Sequence, residues 1–118
     1  MSITLYGIKN CDTVKRARAR LTAEGIDYTF HDFKSQGLTA ARAQQWLDAV
    51  GGDVLINRRG TTWRKLDDTA RAQAQTHAAE LLAQNPSLVK RPVIEYPGGT
   101  QVGFAAQDEA AIVAALRR

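Results

Sequence analysis

Leu5-Tyr6-Gly7-Ile8-Lys9-Asn10-Cys11-Asp12-Thr13-Val14-Lys15 is the stretch on which the fold turns. Residues 2–8 carry no charge and alternate weakly, with Ile3 and Leu5 on one face, which predicts a short first strand. From about Cys11 to Glu24, Val14, Ala17, Leu21 and Ala23 recur at three to four positions among basic residues, the pattern of an amphipathic helix, and Gly25 offers its stop. The one cysteine of the chain therefore falls where strand gives way to helix. A helix start presents unpaired N–H groups and the positive end of the helix dipole, and both stabilise negative charge on a sulfur. Lys9, Lys15 and Arg16 add positive charge nearby, while the Asp12 carboxylate opposes it unless it caps the helix and faces away.

Outward from this junction, Ile26, Tyr28 and Phe30 repeat at two, so residues 26–31 read as a second strand. Strand, helix and strand in that order open a βαβ unit, whose two strands run parallel. The texture then changes. Thr39 is placed to cap a helix that contains Trp46, Leu47 and Val50 and ends at Gly51-Gly52. Val54, Leu55 and Ile56 form an apolar patch before a polar turn, Asn57-Arg58-Arg59-Gly60. Ala70, Ala74, Ala78, Leu81 and Leu82 predict one long helix from about Asp68 to Ala83. Residues 39 to 85 thus read as a helical insertion. Sheet character returns at Pro92-Val93-Ile94, with a turn at Pro97-Gly98-Gly99 and a partner strand at Thr100–Gly103. The final segment, Gln107 to Leu116, has acids first and arginines last, as a helix dipole favours. The expected architecture is one α/β domain over residues 1–118, a small mixed sheet flanked by helices.

At 118 residues the chain is long enough for one hydrophobic core. Its net charge of +4 favours an anionic substrate or an acidic protein partner. The basic residues form no long block and no aromatics alternate with them, so nucleic acid is not the expected partner. No apolar run is long enough for a bilayer and no signal-peptide pattern opens the chain. A lone cysteine forms no intrachain disulfide, and a reducing, cytoplasmic location is expected. There is no glycine-rich phosphate loop or dinucleotide fingerprint, so no bound nicotinamide or flavin is expected. His31 and His77 have no Asp or Cys at ligand spacing, and no metal site is expected. His31 reads as a strand-surface residue, His77 as part of the long helix's polar margin, and Trp46 and Trp63 as packing anchors.

A thiol at the first strand–helix junction, a helical insert, and Arg91-Pro92 leading into a hairpin together resemble the arsenate reductase and Spx group of thioredoxin-like proteins. Gly7–Lys15 and Lys90-Arg91-Pro92-Val93 look like the two signatures of its YffB-like branch, and Asn57–Arg64 supports the same branch. The resemblance covers essentially the whole chain and implies a thioredoxin-like fold. It also implies that Cys11 is the catalytic cysteine, Arg91 an oxyanion-contacting arginine and Pro92 a cis-proline. Lys9, Asn10, Arg58, Arg59 and Pro92 are the candidate substrate contacts. Glutaredoxin-linked arsenate reductases have a histidine shortly before the cysteine, at the place of Gly7, and two further arginines, at the places of Asn57 and Phe104. The Cys-x-x-Cys switch of many Spx regulators is missing too, since Cys11-Asp12-Thr13-Val14 has no second cysteine. The resulting expectation is a monothiol reductase that uses glutathione as cosubstrate, with glutathione or a glutaredoxin as its resolving partner. An Spx-like interaction protein and a glutaredoxin-linked arsenate reductase are the alternatives.

Overall fold

The computed structural model describes residues 2–118. In chain order its elements are β1 (Thr4–Gly7), α1 (Asp12–Ala23), β2 (Thr29–Asp32), α2 (Phe33–Gln36), α3 (Ala40–Val50), α4 (Gly52–Leu55), α5 (Thr61–Arg64), α6 (Asp68–Thr76), α7 (Ala78–Gln84), β3 (Val93–Tyr96), β4 (Gly99–Val102) and α8 (Glu109–Leu116). Single 3₁₀ turns lie at Pro86–Leu88 and Ala106–Asp108. The chain folds as two compact units, one containing the segment up to Gln36 together with Arg91–Arg118, the other spanning Gly37–Lys90.

The first unit holds a mixed sheet in the order β2-β1-β3-β4. β1 and β2 are parallel, with Tyr6 opposite His31. β1 and β3 are antiparallel, with Leu5 opposite Ile94, and β3 and β4 form the hairpin. Alternation along the strands separates two faces. Leu5 and Ile94 join Val14, Ala17 and Leu21 of α1, Phe104, and Ile112 and Leu116 of α8 in one buried cluster. The spacing of Val14, Ala17 and Leu21 is what turns one stripe of α1 onto the sheet. This arrangement, with the added helical region, is a thioredoxin-like fold.

The outer sides of α1 and α8 are joined by alternating charges. Arg16 Nε donates to Glu109 Oε2 at 2.8 Å and Arg20 Nη1 to Glu109 Oε1 at 3.3 Å. Arg20 Nε donates to Glu24 Oε2 at 2.9 Å, and Arg117 Nη2 to Glu24 Oε1 at 2.8 Å. Early α1 meets early α8 and the end of α1 meets the end of α8, so the two helices run in the same direction. The Arg20 hydrogen bond, followed by the charge and hydrogen bond of Arg117, holds the Glu24 carboxyl below its ordinary value.

In the second unit, Thr39 caps α3 by accepting from the Arg42 N–H at 3.1 Å. α3 buries Ala43 and Trp46 and packs on α7, which buries Ala79, Leu81 and Leu82. Gly51, at φ 83°, ends α3 where a side chain would be strained. Asp67 caps α6 through the Ala70 N–H at 2.8 Å.

Several boundaries differ from the expected ones. The second strand is Thr29–Asp32 rather than 26–31, because the Ile26 N–H closes the end of α1 on the Leu21 carbonyl. The long helix is two helices, broken at His77 (φ −138°, ψ 47°). The break lets α7 turn Ala79, Leu81 and Leu82 inward, while α6 buries none of its residues. His77 therefore stands at a junction and not along a helix margin. The last helix starts at Glu109, after a 3₁₀ turn. Short helices at Phe33–Gln36, Gly52–Leu55 and Thr61–Arg64 have no counterpart in the expected pattern.

Candidate active site

Cys11 is the N-cap of α1, with an extended backbone (φ −109°, ψ 123°). Its carbonyl accepts the first helical bond, from the Lys15 N–H at 2.9 Å, while its side chain makes no capping hydrogen bond. The thiol is half-buried against the Leu5–Val14 cluster. The first-turn N–H groups lack helical acceptors of their own, as at any helix start. Strand, cap and helix thus place one sulfur at the positive end of a 12-residue helix.

Gly7 shows why the chain enters the loop this way. A Cβ on Gly7 would lie 2.7 Å from Val14 Cγ2 and 3.2 Å from Cγ1. Val14 is fully buried and its β-branched side chain is stiff, so the contact has no cheap relief. Val14 therefore closes this position to any side chain from the moment a β-carbon is added.

Antiparallel pairing of Tyr6 with Val93 sets the start of β3 beside the end of β1. Arg91-Pro92 is consequently at the same end of the sheet as the β1–α1 loop. The Arg91–Pro92 bond is cis, Pro92 is buried and Arg91 is half-buried. The Pro92 carbonyl accepts from the Gly103 N–H at 2.8 Å, which ties the end of β4 to the proline. Lys9 and Asn10 are exposed on the β1–α1 loop.

Phe104 and Asn57 each have a structural use. Phe104 is 1% exposed and belongs to the core cluster. Arg16 Nη2 donates to its carbonyl, and the Arg16 guanidinium lies 5.9 Å from its ring centroid. Asn57, in the second unit, donates its N–H to the Leu88 carbonyl at 2.7 Å, and its Oδ1 accepts from the Arg59 N–H at 3.1 Å. That second bond is an Asx turn, and it shapes Asn57–Gly60. Arg58 is partly engaged: its guanidinium is 3.6 Å from the exposed Asp53 carboxylate and 5.4 Å from the Trp63 ring centroid. Arg59 is exposed. Of the candidate residues, Lys9, Asn10, Cys11, Arg91 and Pro92 lie in the first unit, and Arg58 and Arg59 lie in the second.

His31 shares its sheet face with Tyr6, 4.7 Å away by ring centroids, and Tyr6 Oη donates to Glu95 Oε1 at 2.8 Å. Leu5 and the cluster that Cys11 packs on occupy the opposite face. Among the described residues no helix is long and apolar enough to cross a membrane.

Residues 6–112 match the ArsC family. The solved structure of a YffB protein covers 98% of this chain and 99% of its own, with 42% identity and a TM-score of 0.88. An arsenate reductase related protein from Brucella melitensis is 48% identical, with 96% and 95% coverage and a TM-score of 0.76. A global transcriptional regulator Spx from Streptococcus pyogenes is 28% identical over 86% of this chain and 78% of its own length.

Proposed function

The chain belongs to the ArsC family, and from that premise we propose that it is a monothiol reductase in which Cys11 is the nucleophile and glutathione the cosubstrate. Family and fold point to thiol redox chemistry. The observation that carries the finer reading is a single cysteine at the cap of α1, its side chain uncommitted to the cap, at the sheet end that also holds Arg91-Pro92.

The chemistry is thiol–disulfide exchange. The Cys11 thiolate attacks a sulfur of a substrate–glutathione mixed disulfide. A new S–S bond joins Cys11 to glutathione, and the substrate leaves as a thiolate that takes a proton from water. A second glutathione thiolate then attacks the Cys11–glutathione bond, releasing oxidised glutathione and restoring Cys11. External glutathione or a glutaredoxin resolves the adduct because the chain has no second cysteine. Arg91 is assigned to an anionic group of the substrate or to the leaving thiolate. Lys9, Asn10 and Pro92 are assigned to contacts along the peptide-like cosubstrate; Arg58 and Arg59, in the second unit, are assigned to an anionic substrate group. A reducing, cytoplasmic compartment suits such a cycle.

Arsenate fits less well. With Gly7, Asn57 and Phe104 at the three places named above, two charge-assisted donors are missing, each worth roughly 1.5–3 kcal/mol to a bound oxyanion. The similarity to an Spx regulator favours a second reading, a protein-interaction role that needs no thiol. The two readings separate on one variant. Reduction of the mixed disulfide of glutathione and 2-mercaptoethanol should be lost in Cys11→Ser if the chain is a reductase. A binding partner captured equally well by the wild type and by Cys11→Ser, with no reductase turnover in either, supports the interaction role.

A further inference from the structure

The second unit contains a cationic cavity that its fold assembles from two distant segments. Ile56 bridges to Val89 in antiparallel fashion. The Asn57 N–H donates to the Leu88 carbonyl at 2.7 Å and the Lys90 N–H to the Leu55 carbonyl at 2.8 Å. These bonds bring Lys90 beside the Asn57–Gly60 turn. A cavity of ≈ 370 Å³ opens there, lined by Arg58, Arg59, Lys90, Asn57, Val54 and Ile56, with Asp53 as its one acid.

The charges around it do not cancel. Three cations face one carboxylate, and Asp53 is fully exposed, 3.6 Å from Arg58. Arg58 is steadied over Trp63. Arg59 and Lys90 are exposed, and neither side chain has a hydrogen-bond or ion-pair partner among the described residues. Two positive charges are left over, which matches a dianion. Arginine forks suit the planar or tetrahedral oxygens of carboxylate and phosphate. The polar lining carries one apolar patch: Val54, 46% exposed, is the one exposed large hydrophobic residue among those described, and it lies here beside the buried Ile56. A ligand that satisfies both features carries two negative charges on a small apolar body.

We propose that this cavity binds an organic dianion, a phosphate monoester or a dicarboxylate. The proposal deepens the role given above to Arg58 and Arg59, adds Lys90 to it, and rests on that reading for the link to substrate. The test uses the full chain carrying Cys11→Ser, so that binding is read without exchange chemistry. Phenyl phosphate and phthalate are titrated while the amide signals of Asn57 and Arg59 and the methyl signals of Val54 and Ile56 are followed by NMR. Saturable shifts at these four residues are expected, and the tighter of the two ligands identifies phosphate or carboxylate as the preferred group. Inorganic phosphate, without the apolar body, and benzoate, with a single charge, should both bind more weakly. Arg59→Gln combined with Lys90→Gln removes two exposed charges and should weaken binding roughly tenfold or more while the melting temperature holds. Absence of saturation with either dianion, equal affinity in the double variant, or equal shifts from benzyl alcohol would each overturn the proposal. Loss of Cys11 exchange in the wild-type chain with dianion binding intact would remove the reductase reading and leave the cavity. Intact exchange without dianion binding would do the reverse.

Discussion

In the first unit Arg16, Arg20 and Arg117 are held by Glu109 or Glu24, whereas in the second Arg59 and Lys90 border a cavity without a charged partner. All five are basic residues, and composition treats them alike. The difference comes from long-range pairing. The acids that meet Arg16 and Arg117 lie about ninety residues away along the chain and arrive because α1 and α8 pack on one sheet. Charge in the first unit lines the seam of a helix pair; the cations of the second border a cavity.

The contrast is sharpest if the first unit is held by its core and only trimmed by its charges. Leu5→Ala or Ile94→Ala should then cost about 2–5 kcal/mol in chemical denaturation, since both side chains are fully buried in the shared cluster. A smaller loss would mean that the ion pairs carry more of the unit than their exposure implies. Gly7→Ala should cost about 1–3 kcal/mol by overpacking against Val14. The same change made in a Val14→Ala background should cost less, and a double-mutant cycle reads the coupling. Glu109→Gln, which removes the ion pairs of Arg16 and Arg20 to that residue, should cost at most about 1 kcal/mol, shrinking as salt is added.

Glu24 gives a smaller effect with a defined sign. Its carboxyl is held below the ordinary value of 4.5, so its stabilising contribution is full above that value and is lost as pH falls through the lowered folded value. Glu24→Gln should therefore lower the melting temperature slightly near neutral pH. In acid beyond the titration of Glu24, wild type and variant should converge. A gap that widens in acid would contradict the assigned partners. At the bottom of the scale, Arg59→Gln with Lys90→Gln should move stability by no more than about 0.5 kcal/mol, because neither side chain is tied to the fold. A larger loss would erase the distinction between the units.

Much of the first unit was legible in the chain. Uncharged alternation over residues 2–8, a cysteine at the helix start and apolar residues at 14, 17 and 21 are local signals, and they gave the βαβ opening. The Thr39 cap and the hairpin after Pro92 were equally local. The division at His77 was not, because no proline or glycine marks it; tertiary burial of Ala79, Leu81 and Leu82 decides it. The alternation of Ile26 with Tyr28 and Phe30 looks the same whether Ile26 pairs in a strand or, as here, closes a helix. At the candidate site, the helix-start position of Cys11 and the cis Arg91–Pro92 bond were readable from motifs. The use of Phe104 as core was not, since it depends on neighbours distant in sequence. Nor was the place of Lys90, which the Ile56–Val89 bridge brings to the cavity without leaving a periodic trace.

The central claim is that Cys11 works as a lone nucleophile that borrows its second thiol. Mass spectrometry of the intact chain after exposure to oxidised glutathione tests it most directly. A single glutathione adduct should form, map to Cys11, disappear with reduced glutathione or glutaredoxin, and be absent in Cys11→Ser. A thiol that remains unmodified, or an adduct that neither agent removes, would contradict the account.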